Sequence, residues 1–290
     1  MKAALFLLLT ALTVQAQFGF RNSYDAEAQD WAKVRVASNG GTISGSSYVA
    51  GTRLVLFFKS RGVRSHICRM NVYLGNATNA VVVPLINKFV GGSVLGNTTD
   101  TFIAFGAADY SEATGLTGDG VSKYLGTGLA ASSSGTAGSF HVAVYNRSNA
   151  YGTDGSIGSS TAGGYVGYLQ EAYTGGVCYI YFDDAGSIIN GTDGSPPTGL
   201  YVATRTSQTS RVVYKNGSVL FSSSTDLGTT PAINGEAIVV HAVNASGTVN
   251  SWTAKNLCFY AVGNGITADI QLAYYLGVQR LQYDLNRQKP

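Results

Sequence analysis

The sequence predicts a mainly β protein, an antiparallel sandwich with an N-terminal helical subregion and a C-terminal helix. Three observations carry that reading. From about Gly91 the chain is cut into runs of five to nine residues separated by clusters of Gly, Ser, Asn and Asp, the pattern of short strands joined by tight turns. Charged residues make up 12% of the chain, against roughly a quarter in ordinary soluble domains, while glycine reaches 37 residues and tyrosine 18. Solubility then rests on Ser, Thr, Asn, Gly and Tyr, which fits extracellular β proteins. Finally, Asn216-Gly217 interrupts RVVYKNGSVLF, and an Asn-Gly pair between β-formers favours a two-residue type I′ hairpin, because both residues take positive φ at little cost.

In chain order, the opening MKAALFLLLTALTVQAQ carries Lys2, an apolar run from Ala3 to Val14, and Val14-Gln15-Ala16 as a cleavage site. Residues 1–16 therefore read as a secretory signal peptide, removed after Ala16, with the mature chain secreted. The other reading, a membrane anchor or buried helix, asks more length of the run than it has for spanning a bilayer. Residues 17–90 read as a helical, loop-linked subregion. In it, NSYDAEAQDWAKVRVASNGG has Ser23 as N-cap, Asp25 and Glu27 in the first turn and Gly40-Gly41 as stop, while SSYVAGTRLVLFFKSRG has Ser46 or Ser47 as cap and Gly62 as terminator. VRSHICRMNVYLGN continues this helical or mixed region.

Residues 91–290 read as the β-sandwich domain with its closing helix. Its strands are expected at TFIAF, KYLGTGL, SFHVAVYN, YVGYLQEAY, VCYIYFDD, GLYVATRTS, SRVVYK, SVLFSSS, EAIVVHAVN and NLCFYAVG. In the hairpin the turn sets Lys215 opposite Ser218, Tyr214 opposite Val219, Val213 opposite Leu220 and Val212 opposite Phe221. Tyr214, Val219, Val212 and Phe221 then share the face expected to be buried. After Gly265, Thr267 caps a helix whose apolar stripe is Ile270, Leu272, Tyr275, Leu276, Val278 and Leu281. No repeat of 20–50 residues is visible.

GLTGDGVSKYLGTGL (Gly115 to Leu129), SFHVAVYN, the meander LYVATRTSQTSRVVYKNGSVLF and NLCFYAVGNGIT leading into a helix resemble the concanavalin A-like or laminin G-like jelly roll. The version most resembled is that of poorly characterised bacterial and phage proteins. The resemblance covers about residues 100–290 and implies two sheets packed face to face, with roles from glycan binding through protein adhesion to virion or surface architecture. The glucanase branch of that superfamily uses a Glu-x-Asp-x-Glu strand. Glu27, Glu112, Glu171 and Glu236 are scattered and none starts such a strand, so the resemblance implies no catalytic site.

Enzyme chemistry has little else to stand on. There is no G-x-S-x-G elbow, H-E-x-x-H, P-loop or dinucleotide fingerprint, and His66, His141 and His241 are isolated in sequence. His141 and His241 read as strand residues with satisfied rings. Cys68, Cys178 and Cys258 form no C-x-x-C pair; either Cys178 and Cys258 are bridged or all are plain buried thiols. A net charge of +3 gives no ground for nucleic acid or acidic lipid as partner. Asp183 and Asp184 are adjacent, and in a strand would point to opposite faces. Asp184, Asn190 and Asp193 form an oxygen-rich stretch suited to Ca²⁺, with a solvated Asx-rich turn as the plainer reading.

Tyrosines give the main functional lead. Tyr151 and Asp154 lie in the glycine-rich NAYGTDG, Tyr165, Tyr168 and Tyr173 lie near turns in GGYVGYLQEAYTGG, and Arg205 lies in a strand. A flat ring with hydrogen-bonding neighbours is what a pyranose needs; ordinary sheet packing is the competing reading. The sequence thus points first to a secreted, non-enzymatic, lectin-like module that binds glycans or another cell-surface ligand through rim loops. The alternative is a structural subunit that self-assembles as a homo-oligomer, in a virion fibre or decoration or in an extracellular filament. No membrane contact is expected once the signal is removed. A hydrolase with a nonstandard site is the weakest option.

Overall fold

The computed structural model describes residues 24–289 apart from 137, 150, 153, 162–163, 174, 183–187 and 226–234. The signal-peptide reading of 1–16 and the capping role of Ser23 fall outside the described residues, as do Asp183 and Asp184. The first helix begins at α1 (Ala26–Gln29) and runs on through a wide π turn, Asp30–Arg35, to Val36–Ser38. Asp25 is its cap and accepts from the amides of Glu27 and Ala28. The second helix, α2 (Gly45–Ser60), is capped by Ser44 rather than Ser46 or Ser47, because it is the Ser44 hydroxyl that takes the Ser47 amide. Its stop is Gly62 at φ 74°, where a side chain would be strained. A single turn, α3 (Thr78–Val81), and the C-terminal α4 (Ala268–Asp284, capped at Thr267) complete the α-helices among the described residues.

The strands, in chain order, are β1 (Ile67–Asn71), β2 (Ile86–Asn87), β3 (Thr101–Ile103), β4 (Tyr110–Ser111), β5 (Gly115–Thr117), β6 (Tyr124–Ala130), β7 (Phe140–Asn146), β8 (Ile157–Thr161) and β9 (Gly164–Tyr173). They continue as β10 (Val177–Tyr181), β11 (Ile188–Thr192), β12 (Gly199–Ser207), β13 (Ser210–Lys215), β14 (Ser218–Ser223), β15 (Ala237–Val240), β16 (Val243–Ala245), β17 (Thr248–Asn250) and β18 (Asn256–Gly263). One sheet runs β14-β13-β12-β7-β18-β1-β2, with β5 on β18 and β4 on β5. The other runs β11-β10-β9-β8-β15-β6-β3, with β16 beside β8 and β17 on β16. The two sheets form an antiparallel sandwich, with one parallel contact, β8 with β16.

The first sheet is buried on both faces, which explains its unbroken apolar strands. Val142, Val144, Tyr201, Ala203 and Val213 point into the space between the sheets. Ala143, Tyr145, Leu200, Val202 and Tyr214 pack against the helices. Tyr274 of α4 anchors that helix layer, stacked on Phe58 with ring centroids 5.3 Å apart. β1 joins the sheet from within the region read as helical or mixed and pairs with β18. Its Arg69 is ion-paired to Asp100 at 2.6 Å, both out of solvent.

Two sequence expectations are corrected by this layering. The turn is as expected, with Asn216 at φ 49° and Gly217 at φ 82°, and Lys215 and Tyr214 keep their partners. Beyond them a bulge at Leu220 shifts the register, so Val213 faces Phe221 and Val212 faces Ser222. Val219, assigned to the buried face, is 59% exposed, while Lys215, Val213 and Arg211 of the other face are buried. The buried stripe of α4 is also rotated: Gln271, Tyr274, Val278, Leu281 and Gln282 turn inward, and Leu272 is 57% exposed. Tyr274 governs this, since its ring fills the gap over Phe58 and Phe259. Cys68, Cys178 and Cys258 are all buried and free, so Cys178 and Cys258 are not bridged. Among the described residues no helix is long and apolar enough to cross a membrane.

Candidate functional site

Antiparallel pairing gathers the loops 118–123, 147–156, 193–198 and 251–255, the 216–217 turn and the turn between β9 and β10 at one end of the sandwich. Tyr151 stands there, 47% exposed, its hydroxyl donating to the Ser195 carbonyl at 3.4 Å. The Gly155 amide donates to the Ser251 carbonyl at 3.1 Å, which ties the Tyr151 loop to the segment carrying Trp252. Trp252 is half-buried, and its indole N–H lacks a hydrogen-bond partner.

Two buried lysine–carboxylate clusters lie beneath. Lys215, at the end of β13, reaches Asp193 at 2.5 Å and also donates to Ser195 Oγ and the Pro196 carbonyl, both at 2.6 Å. Asp193 Oδ2 further accepts from the Tyr201 hydroxyl at 2.6 Å, and Oδ1 from the Ser195 hydroxyl and amide. Burial would push the Asp193 carboxyl up, but the bonds from Lys215, Ser195 and Tyr201 outweigh it and hold it below the usual carboxylate range. Burial and Asp193 together raise the Tyr201 phenol.

In the second cluster, Lys255, just before β18, lies 3.4 Å from Glu171 Oε1 of β9 and donates to the Glu171 main-chain carbonyl. The Ser156 hydroxyl donates to Oε1 at 2.6 Å, whereas Oε2 is buried with no partner. His241 sits beside them at φ 68°, fully buried, with neither ring nitrogen hydrogen-bonded. Its main-chain amide donates to the Ser156 carbonyl at 2.8 Å. Burial, reinforced by Lys255, lowers its pKa to about 3, so the ring is neutral. Cys178 lies near both clusters, and burial, then Glu171, raises its thiol well above the ordinary value.

The sequence-predicted residues divide between the two ends. Tyr151 and Asp193 come together through Ser195, Asp154 lies half-buried in the same loop, and Tyr173 ends β9 near them by backbone position. Tyr165 lies toward the other end of β9; the side chains of Tyr165 and Tyr173 are outside the described residues. Arg205 is also at that far end, buried in β12 opposite Arg211 and bonded to the Ser207 carbonyl. Tyr168 is not on the rim: it is buried, stacked on Tyr181 at 4.8 Å. Of the stretch read as an oxygen-rich loop, Ile188–Thr192 is strand β11, in which Asn190 is exposed, while Asp193 just beyond it turns into its lysine pair. Asp184 is outside the described residues, and among those described no three His, Cys, Asp or Glu side chains could hold a metal.

Trp252, Ser156, Glu171, Lys255 and His241 were not legible as a group. The one local signal is a charge placed inside an apolar run, Glu171 in GYLQEAY and Lys255 before NLCFYAV.

These features define an antiparallel β-sandwich with an aromatic rim over a buried ionic end. No family model matches the chain, and no curated protein does. Solved structures resemble it. Domain 4 of AbnA, a GH43 extracellular arabinanase from Geobacillus stearothermophilus solved with arabinotriose, is 12% identical over 73% of this chain and 98% of its own, with a TM-score of 0.45. The CBM40 of the Ruminococcus gnavus IT-sialidase, bound to α2,3 sialyllactose, is 12% identical over 57% of this chain and 100% of its own, at 0.37. The NanB sialidase of Streptococcus pneumoniae is 15% identical over 47% of this chain, at 0.36, and the match spans only 24% of that sialidase.

Proposed function

We propose that the chain is a secreted, non-enzymatic, lectin-like module that takes a glycan at the Tyr151 end of the sandwich. The observation that carries this reading is the placement of two aromatic residues, the exposed Tyr151 and the half-buried Trp252, on neighbouring loops joined by the Gly155–Ser251 bond. Tyr151 offers a flat ring to a sugar face, and Asp154 and the Ser195 main chain lie close by for its hydroxyls. The ionic base beneath holds the loop 193–198 in place, since Lys215 and Asp193 grip Ser195 from both sides. The non-enzymatic part is supported by access: Ser156, Glu171, Lys255 and His241, the groups fit for proton transfer or nucleophilic attack, are all buried.

The test is a glycan array with the purified chain, with and without Ca²⁺, followed by titration calorimetry of Tyr151→Ala and Trp252→Ala against the best sugar. Loss of binding in both variants with unchanged folding supports the site; unchanged binding in both removes it. A second reading, self-assembly, is favoured by β14. Among the described residues it is an edge strand bonded only to β13, with no charge or proline in SVLFSS, the kind of edge that invites a further strand. Light scattering separates the two: a monomer sets self-assembly aside, and a closed oligomer or filament makes it primary.

A further inference from the structure

We propose that Glu171 and Lys255 are joined by an intramolecular amide bond formed by the folded chain itself. The two side chains are 0% and 3% exposed, and Nζ lies 3.4 Å from Oε1, so the amine is held against the carboxyl group whose carbon it would attack. The contrast with the neighbouring pair is informative. Lys215 has three acceptors within 2.6 Å, and both oxygens of Asp193 are covered by donors, so both charges are bonded where they stand. Lys255 has one close acceptor, the Glu171 main-chain carbonyl, with Ser156 Oγ 3.5 Å away. Glu171 has one oxygen covered and one bare.

The bare oxygen supplies the exit route. On a small rotation of the carboxylate, Lys255 passes one proton to Oε2, leaving an amine and a carboxylic acid. The Nζ lone pair forms a bond to Cδ, and the Ser156 hydroxyl, already on Oε1, stabilises the charge that builds there. Nζ then gives a second proton to the Oε2 hydroxyl, the Cδ–Oε2 bond breaks, and one water leaves. Three ammonium protons become one amide proton and two on the water, so nothing else is required. His241 acts as a positioning residue, because its amide holds the Ser156 carbonyl at 2.8 Å. The link would tie β9, in the middle of the second sheet, to the start of β18 in the first, across 84 residues of chain.

The experiment is intact mass spectrometry of the denatured full chain, followed by tryptic mapping. The expected mass is one water below that calculated from the observed N-terminus. Trypsin should fail to cut after Lys255, and the peptide containing Glu171 should be found attached there. Lys255→Arg should restore the full mass, and Ser156→Ala should slow linking by about 100-fold. A wild-type chain of full calculated mass that is cut normally after Lys255 overturns the proposal, whether or not the variants fold. A water loss that maps elsewhere, or persists in Lys255→Arg, overturns it equally.

Discussion

Two buried lysine–carboxylate pairs sit at the same end of the sandwich, yet they are built differently. Lys215 and Asp193 are saturated by Ser195, Pro196 and Tyr201; Lys255 and Glu171 are under-supplied, with Ser156 and the Glu171 main-chain carbonyl in support. Burying an ion pair costs desolvation that attraction recovers only when the remaining bonds are made. The first pair meets that condition through a loop, 193–198, which also carries the backbone under Tyr151. The second does not, and the amide proposed above removes both charges. The difference teaches that burial alone does not assign a role to an ionic pair; the completeness of its hydrogen bonding does.

The largest effect that could break this comparison lies at the second pair. A covalent link closing a loop of 84 residues is worth about 4–5 kcal/mol by chain-entropy arguments. Lys255→Arg should therefore lower unfolding free energy by about that amount in urea titration. A change below about 1 kcal/mol would mean the pair is an ordinary ion pair of small net worth.

At the first pair the prediction is asymmetric. Asp193→Ala strands a buried ammonium and should cost about 3–5 kcal/mol. Lys215→Met leaves Asp193 with Tyr201 and Ser195 still donating and should cost less, about 1–2 kcal/mol. Equal losses in the two variants would show that the donors around Asp193 do not carry the stability assigned to them.

Acid should distinguish the regions by pH. His241, next to Lys255, has its folded pKa lowered to about 3, against about 6.5 for an unfolded histidine. The unfolded chain therefore binds the proton first. Stability is complete above about pH 6.5 and declines as pH falls, by about 3 kcal/mol at pH 4. His141, lowered by burial to about 4, acts in the same window. Asp193, whose carboxyl is held low, contributes only above the unfolded aspartate range, and its share disappears below about pH 4. His241→Asn, which tolerates the positive φ, should roughly halve the slope between pH 6.5 and 4 and leave the slope below 4 intact. An unchanged upper slope would show that His241 is not the group titrating.

Each of the ten runs expected from the sequence carries strand, because alternation and Gly/Asn/Ser turns are local signals, though EAIVVHAVN is broken at His241 into β15 and β16. Strands β1, β2, β4, β5, β8, β11 and β17 lie outside those runs, being short or set among turn residues, and the side each strand turns inward was not legible either. In β13 both Tyr214 and Val213 are buried, since helices cover one face and the second sheet the other, and no two-residue period can reveal that. Phe221 shows the same limit: a single bulge residue, Leu220, moved it from Val212 to Val213. At the site, Tyr151 was legible as an aromatic among glycines. The ion pair of Asp193 is not legible because its lysine lies 22 residues onward, and Trp252 carries no signal because a lone Trp in a turn-rich stretch has no period to mark it.

The smallest effect sharpens the contrast between base and rim. Tyr151 makes one long bond, 3.4 Å to the Ser195 carbonyl, and leaves much of its ring in solvent, so Tyr151→Ala should change folding stability by less than about 0.5 kcal/mol. If the ring stacks on a sugar, the same substitution should weaken glycan binding by about 1 kcal/mol or somewhat more, about five- to tenfold in Kd. Tyr151→Phe keeps the ring face and loses only the weak bond, so its affinity should stay within about twofold of wild type. Calorimetry on the three proteins separates the contributions. Equal loss in Phe and Ala would place recognition in the hydroxyl and the Ser195 loop it touches, whereas loss in Ala alone places it on the exposed ring that the ionic base holds in position.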